Sequence, residues 1–88
     1  EKLNSKDWFV YPNPFKDHVN LNYLIDGQNQ PTTFIIVNQI GQTIQRGVLK
    51  LMNGYARIDL PNLPTGLYVL TLENSSKKER FKLLRGAL

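Results

Sequence analysis

His18 is the one histidine in this 88-residue chain, and it stands beside Asp17. An imidazole next to a carboxylate is the smallest unit from which acid–base chemistry or a metal site is built. Nothing in the sequence completes such a unit. There is no cysteine, so disulfides, thiolate nucleophiles and thiolate metal ligands are all absent. Asp17 and Asp26 flank one alternating stretch and are too far apart to form a paired-carboxylate site. No Walker or dinucleotide-type glycine pattern, HExxH helix or nucleophile elbow occurs. His18 falls on the polar side of its segment and is expected on the solvated surface. The sequence therefore predicts no enzyme, no metal and no cofactor.

Charge is the second source of possible chemistry. The net charge is +4, and it is unevenly placed. Residues 1–76 hold six basic and six acidic side chains, whereas residues 77–88 hold Lys77, Lys78, Arg80, Lys82 and Arg85 against Glu79 alone. A basic end serves nucleic acid, an anionic surface or an acidic receptor, or guards an edge strand with lysine. Nucleic acid is disfavoured, because phosphate sites draw cations from several elements and these lie on one. Trp8, Phe34, Tyr68 and Phe81 could stack on bases, but in alternating segments of a small domain they are assigned to the core.

The elements that carry these residues repeat with period two. Val19, Leu21, Tyr23 and Ile25 alternate with polar neighbours, except at Leu24. In "TTFIIVN", Phe34 and Ile36 share one face, and Ile35 and Val37 the other. "Asn38-Gln39-Ile40-Gly41" predicts a tight reversal with a positive φ at Gly41, and "Asn53-Gly54" a hairpin. "YARIDL", "LYVLTLEN" and "ERFKLLR" supply further strands, with Phe81 and Leu83 opposite Lys82 and Leu84. Counting the opening "WFVY" gives about seven short strands and no helix. The expected fold is all-β, an immunoglobulin-like sandwich of about seven antiparallel strands in two sheets. No apolar run approaches the roughly 20 residues of a membrane helix. The polar start, residues 1–7, reads as a linker from an upstream segment, and residues 8–88 as one domain in a piece of a longer chain.

"YPNPF", residues 11–15, follows the first strand. Pro12 and Pro14 fix φ and remove two backbone donors, which excludes a ladder position, and Asn13 before Pro14 is biased to extended conformations. The expectation is a stiff corner that either holds the exit of the linker in a fixed direction or simply ends the first strand as an ordinary turn.

Four stretches together resemble a known family. "VYPNPF" (10–15) followed by "DHVNLNY", "NQIGQTI" (38–44), "IDLPNLPTGLYVL" (58–70) and "KLLR" (82–85) stand in order along nearly the whole chain. They resemble the type A C-terminal sorting domain of the type IX secretion system of Bacteroidota. Family members commonly stop close to the final basic residue, whereas this chain continues with Gly86, Ala87 and Leu88.

The resemblance implies a secretion signal that directs a cargo protein across the outer membrane. It implies transit through the periplasm, then the cell surface or medium, and commonly removal by a sortase-like cysteine peptidase. The implied partners are the outer-membrane translocon, shuttle proteins, that peptidase and the upstream cargo. Pro12, Asn13, Pro14, Asn38, Gly41, Leu63, Pro64, Gly66 and Tyr68 are expected to act through structure. Lys82, Leu83, Leu84 and Arg85 are the expected recognition strand, open at its edge to strand addition. Dimerisation through exposed edges is a further expectation. The competing readings are a carbohydrate- or surface-binding module using Trp8 and Tyr11, and a structural spacer.

Overall fold

The structure is a computed structural model that describes residues 7–24, 31–75 and 77–86. It contains seven strands: β1 (Trp8–Tyr11), β2 (His18–Tyr23), β3 (Pro31–Val37), β4 (Thr43–Lys50), β5 (Tyr55–Asp59), β6 (Gly66–Glu73) and β7 (Lys78–Arg85). They form two antiparallel sheets, ordered β1-β2-β5 and β4-β3-β6-β7. Ile25 and the turn cluster expected after it lie outside the described residues.

Alternation sets the inner faces. Val19, Leu21 and Tyr23 from β2 face Phe34 and Ile36 from β3, Tyr68, Leu70 and Leu72 from β6, and Phe81 and Leu83 from β7. All are buried, as are Trp8, Phe15, Leu51, Ile58 and Leu60. Because side chains on one face repeat every second residue, this single core accounts for the period read in the sequence. Trp8, Phe34, Tyr68 and Phe81 are core residues, as expected, and none is a stacking platform.

The turns divide into two kinds. Asn38 closes the β3–β4 reversal as predicted: its backbone carbonyl accepts from the Gly41 amide at 3.0 Å, and Gly41 has φ +85°. Asn53 and Gly54 both take positive φ, with Met52 bridging Tyr55. The expected hairpin does not extend beyond that bridge, because β4 and β5 belong to different sheets. The turn is instead a corner between layers, fixed by the Tyr23 amide donating to the Gly54 carbonyl at 2.7 Å.

Candidate functional site: four motifs at one pole

Both proline peptide bonds of the "YPNPF" stretch are cis. The stretch folds across the sandwich onto the outer edge of β7. Asn13 Nδ2 donates to the Lys82 carbonyl at 2.8 Å, and the Leu84 amide donates to Asn13 Oδ1 at 2.9 Å. Two residues on, the Phe15 amide donates to the Leu84 carbonyl at 2.8 Å, and the Gly86 amide donates to the Phe15 carbonyl at 3.0 Å. One asparagine side chain and one backbone unit thus occupy the edge of β7 as a neighbouring strand would. Pro14 lies so close to Gly86 that a Cβ there would sit 3.2 Å from its own.

This geometry changes two expectations. β7 is the outermost strand of its sheet, but its last residues already have their outward backbone groups bonded, so the open ledge does not include Leu84. The proline corner also does not direct the linker. The linker end is Asp7, at the opposite end of β1, where its carbonyl accepts from the Leu24 amide at 2.8 Å and its carboxylate pairs with Lys77 at 2.8 Å. Asp7 is itself buried and belongs to the folded body.

Beneath the clasp, Phe15 is 1% exposed and meets the edge of Tyr68 with ring centroids 6.1 Å apart. Tyr68 donates its hydroxyl to the Pro64 carbonyl at 2.6 Å, which closes the "LPTGLY" turn on the core. Leu63 packs against the same core. Gly66 has φ +154° and a missing Cβ that would lie 3.4 Å from Gln39 Oε1, so the turn brings the β5–β6 loop against the β3–β4 loop. Only glycine adopts that backbone without strain.

Asn38 organises the second loop, with Oδ1 accepting from the Ile40 and Gln42 amides at 3.1 and 2.9 Å. Asn38, Gln39, Ile40, Pro64, Thr65, Gly66, Leu67 and Tyr68 line a shallow hollow of about 240 Å³. Ile40 is 79% exposed beside it. Gly66 and Leu67 pair with Arg85 and Leu84, so the four motifs meet at one end of the sandwich. Pro12, Asn13, Pro14, Asn38, Gly41, Leu63, Pro64, Gly66 and Tyr68 all belong to this pole.

Within the expected recognition strand, the residues separate. Lys82 and Leu84 face outward. Leu83 is wholly buried and contributes to the core. The Arg85 guanidinium folds back, its Nη1 donating to the Gly86 carbonyl. Sequence reading missed Phe15 as a core anchor and the Asp7–Lys77 pair, because each is defined by a partner distant in sequence.

The candidate chemistry is sparse. His18 Nδ1 lies 2.7 Å from Asp17 Oδ1, and this hydrogen bond lowers the Asp17 pKa below the ordinary aspartate value. Arg57 Nε donates to Asp59 Oδ1 at 2.8 Å, which raises the guanidinium pKa. Among the described residues, no group of three or more His, Asp or Glu is placed to hold a metal ion. Trp8, proposed as a sugar platform, is fully buried and stacks on Tyr23 at 4.3 Å. Tyr11 spends its hydroxyl on Asn22 Oδ1 at 2.7 Å.

Comparison with known proteins bears on the fold and the family. The fold is similar to the crystal structure of a DUF3244 family protein from Bacteroides vulgatus, an immunoglobulin-like β-sandwich. The TM-score is 0.72 at 14% identity, over 91% of this chain and 85% of that one. No curated protein matches the sequence. Residues 9–84 match the family described as "Secretion system C-terminal sorting domain". That span runs from the strand before the proline corner to the penultimate residue of β7, so the chain belongs to the C-terminal sorting domains of the type IX secretion system.

Proposed function

We propose that this domain is the export address of an upstream cargo: it is read in the periplasm by the type IX translocon and its shuttle proteins, and it is removed at the cell surface by a sortase-like cysteine peptidase. The observation that carries this reading is the convergence of four sequence-distant motifs at one pole. Asn13 and Phe15 hold the end of β7 there. Lys82 and Leu84 are the contact residues, the first supplying charge for encounter and orientation, the second an apolar anchor. Pro12, Asn13 and Pro14 act through the shape they impose on that strand end.

An address of this kind must be recognised independently of its cargo. A pole built wholly from the domain's own motifs meets that requirement. The test is export of a foreign reporter fused ahead of Glu1 in a bacterium with an active type IX system. The unchanged domain is expected to export the reporter, and deletion of Lys82–Leu88 is expected to abolish export. Normal export of the truncation rules out recognition through β7. Comparing precursor and mature masses shows whether these residues are removed.

A further inference from the structure

The second surface of note is the outer face of the four-stranded sheet. The register places Lys50 beside Pro31, Val48 beside Thr33 and Arg46 beside Ile35. It continues from Thr33 to Glu73 and Lys78, from Ile35 to Thr71 and Arg80, and from Val37 to Val69 and Lys82. Phe34, Ile36, Leu70, Leu72, Phe81 and Leu83 are buried, so these alternate residues all point away from the core.

Five of them are cations, Arg46, Lys50, Lys78, Arg80 and Lys82, and one, Glu73, is an anion. The face therefore carries +4, which equals the net charge of the whole chain. The six other basic and six other acidic residues cancel. Folding has joined Arg46 and Lys50 to the basic end that the sequence shows on its own.

The arrangement is a trough. Its five cations all stand on the two outer strands, β4 and β7, together with Val48 and Leu84, while Ile35, Val37, Val69 and the one anion, Glu73, lie on the two inner ones, β3 and β6. Four strands place the two rims about 14 Å apart. Between them a hollow of about 300 Å³ is lined by Thr33, Ile35, Val37, Val69, Thr71 and Glu73, with Lys78 and Arg80 at one side. Leu67 and Leu84, 42% and 40% exposed, continue the apolar floor towards the motif pole.

We propose that this trough docks an extended acidic segment of a partner protein, with an apolar side chain seated over Ile35 and Val69 and carboxylates reaching both rims. The proposal rests on the export reading, for which it supplies the chemistry of the partner. Charge complementarity selects the occupant: a second copy would bring +4 against +4 and be repelled. A bilayer surface is a poorer match. Membrane-seated faces project aromatic side chains, whereas the hollow of this face is floored by Ile35, Val37 and Val69 beside longer cations, and no aromatic points outward from its register positions.

The trough is tested by titrating the isotope-labelled chain with a synthetic acidic peptide, acetyl-DELEIDE-amide, and following amide shifts. Shifts confined to Ile35, Val37, Val69, Thr71 and Arg80 are expected, with affinity falling as salt is added. The double variant R46E/R80E is expected to weaken binding by about tenfold or more. Ile35→Ser, at an exposed position with no core role, is expected to weaken it without reversing charge. No binding, shifts centred elsewhere, or affinity unchanged in R46E/R80E overturns the proposal. Binding to phosphatidylglycerol vesicles but not to the peptide overturns it in favour of lipid. In the export assay, a reporter exported equally by unchanged and R46E/R80E domains refutes the trough and leaves the sorting reading standing. Failure of the unchanged domain to export refutes the sorting reading, and the peptide titration still decides the trough.

Discussion

The two ends of the sandwich are each built on an aromatic pair, yet they are secured in different ways. At the linker end, Trp8 stacks on Tyr23 with an interplanar angle of 29°, and Asp7 is tied by Lys77 and the Leu24 amide. At the motif end, Phe15 meets Tyr68 edge-on at 66° beneath four hydrogen bonds, three between the proline corner and β7 and one from Gly86 just beyond it. One end depends on an ion pair that salt and pH can reach. The other depends on packing and on neutral bonds that fix backbone positions. The contrast teaches that the punctuation of the sequence, proline, asparagine and glycine, is placed where the backbone has to hold one shape.

Breaking the motif end at its base has the largest expected effect. Phe15→Ala removes a wholly buried ring and is expected to cost about 3–5 kcal/mol, read as a lower urea midpoint. Gly66→Ala forces a side chain into a φ of +154° against Gln39 and is expected to cost about 1–3 kcal/mol. Asn13→Ala removes both bonds to β7 and is expected to cost about 1–2 kcal/mol. Its signature is selective: hydrogen exchange at Leu84 accelerates, while exchange at Leu24 at the other end is unchanged.

Lys77→Met tests the linker end and is expected to cost less than Asn13→Ala, since the ammonium is half in water and screened by salt. The Asp7 carboxylate raises the Lys77 pKa above its ordinary value. A raised pKa means that this contribution is fully present below the ordinary lysine value, about 10.4. It is lost as pH rises through the raised one. The wild type is therefore expected to lose stability at alkaline pH by a component that Lys77→Met lacks. The smallest effect is expected from Asp17, whose lowered pKa reverses the sign. Its contribution is present above the ordinary aspartate value and lost as pH falls through the lowered one, and Asp17→Asn removes it.

Much of the architecture was legible because period two is a local signal. Phe34 and Ile36 against Ile35 and Val37, or Phe81 and Leu83 against Lys82 and Leu84, announce their faces within a few residues. Turn positions were equally local, as Gly41 shows. What no window of sequence reveals is which element lies next to which. Asn53-Gly54 has the chemistry of a hairpin, but only the assembled core shows that the chain there passes from one sheet to the other. Asn13 finds its partners 69 and 71 residues away, so its role as a stand-in strand had no nearby signature. The charged trough was hidden for the same reason, because Arg46 and Lys50 join Lys78, Arg80 and Lys82 only through the order of the strands.

The anchoring of Asp7 by Lys77, just before β7 begins, has a spatial consequence. Eight residues of strand, about 26 Å, separate that point from the end of β7. The two anchorages of β7 are thus a strand length apart and share no side chain, so loosening the Gly86 end leaves the Asp7–Lys77 contact in place.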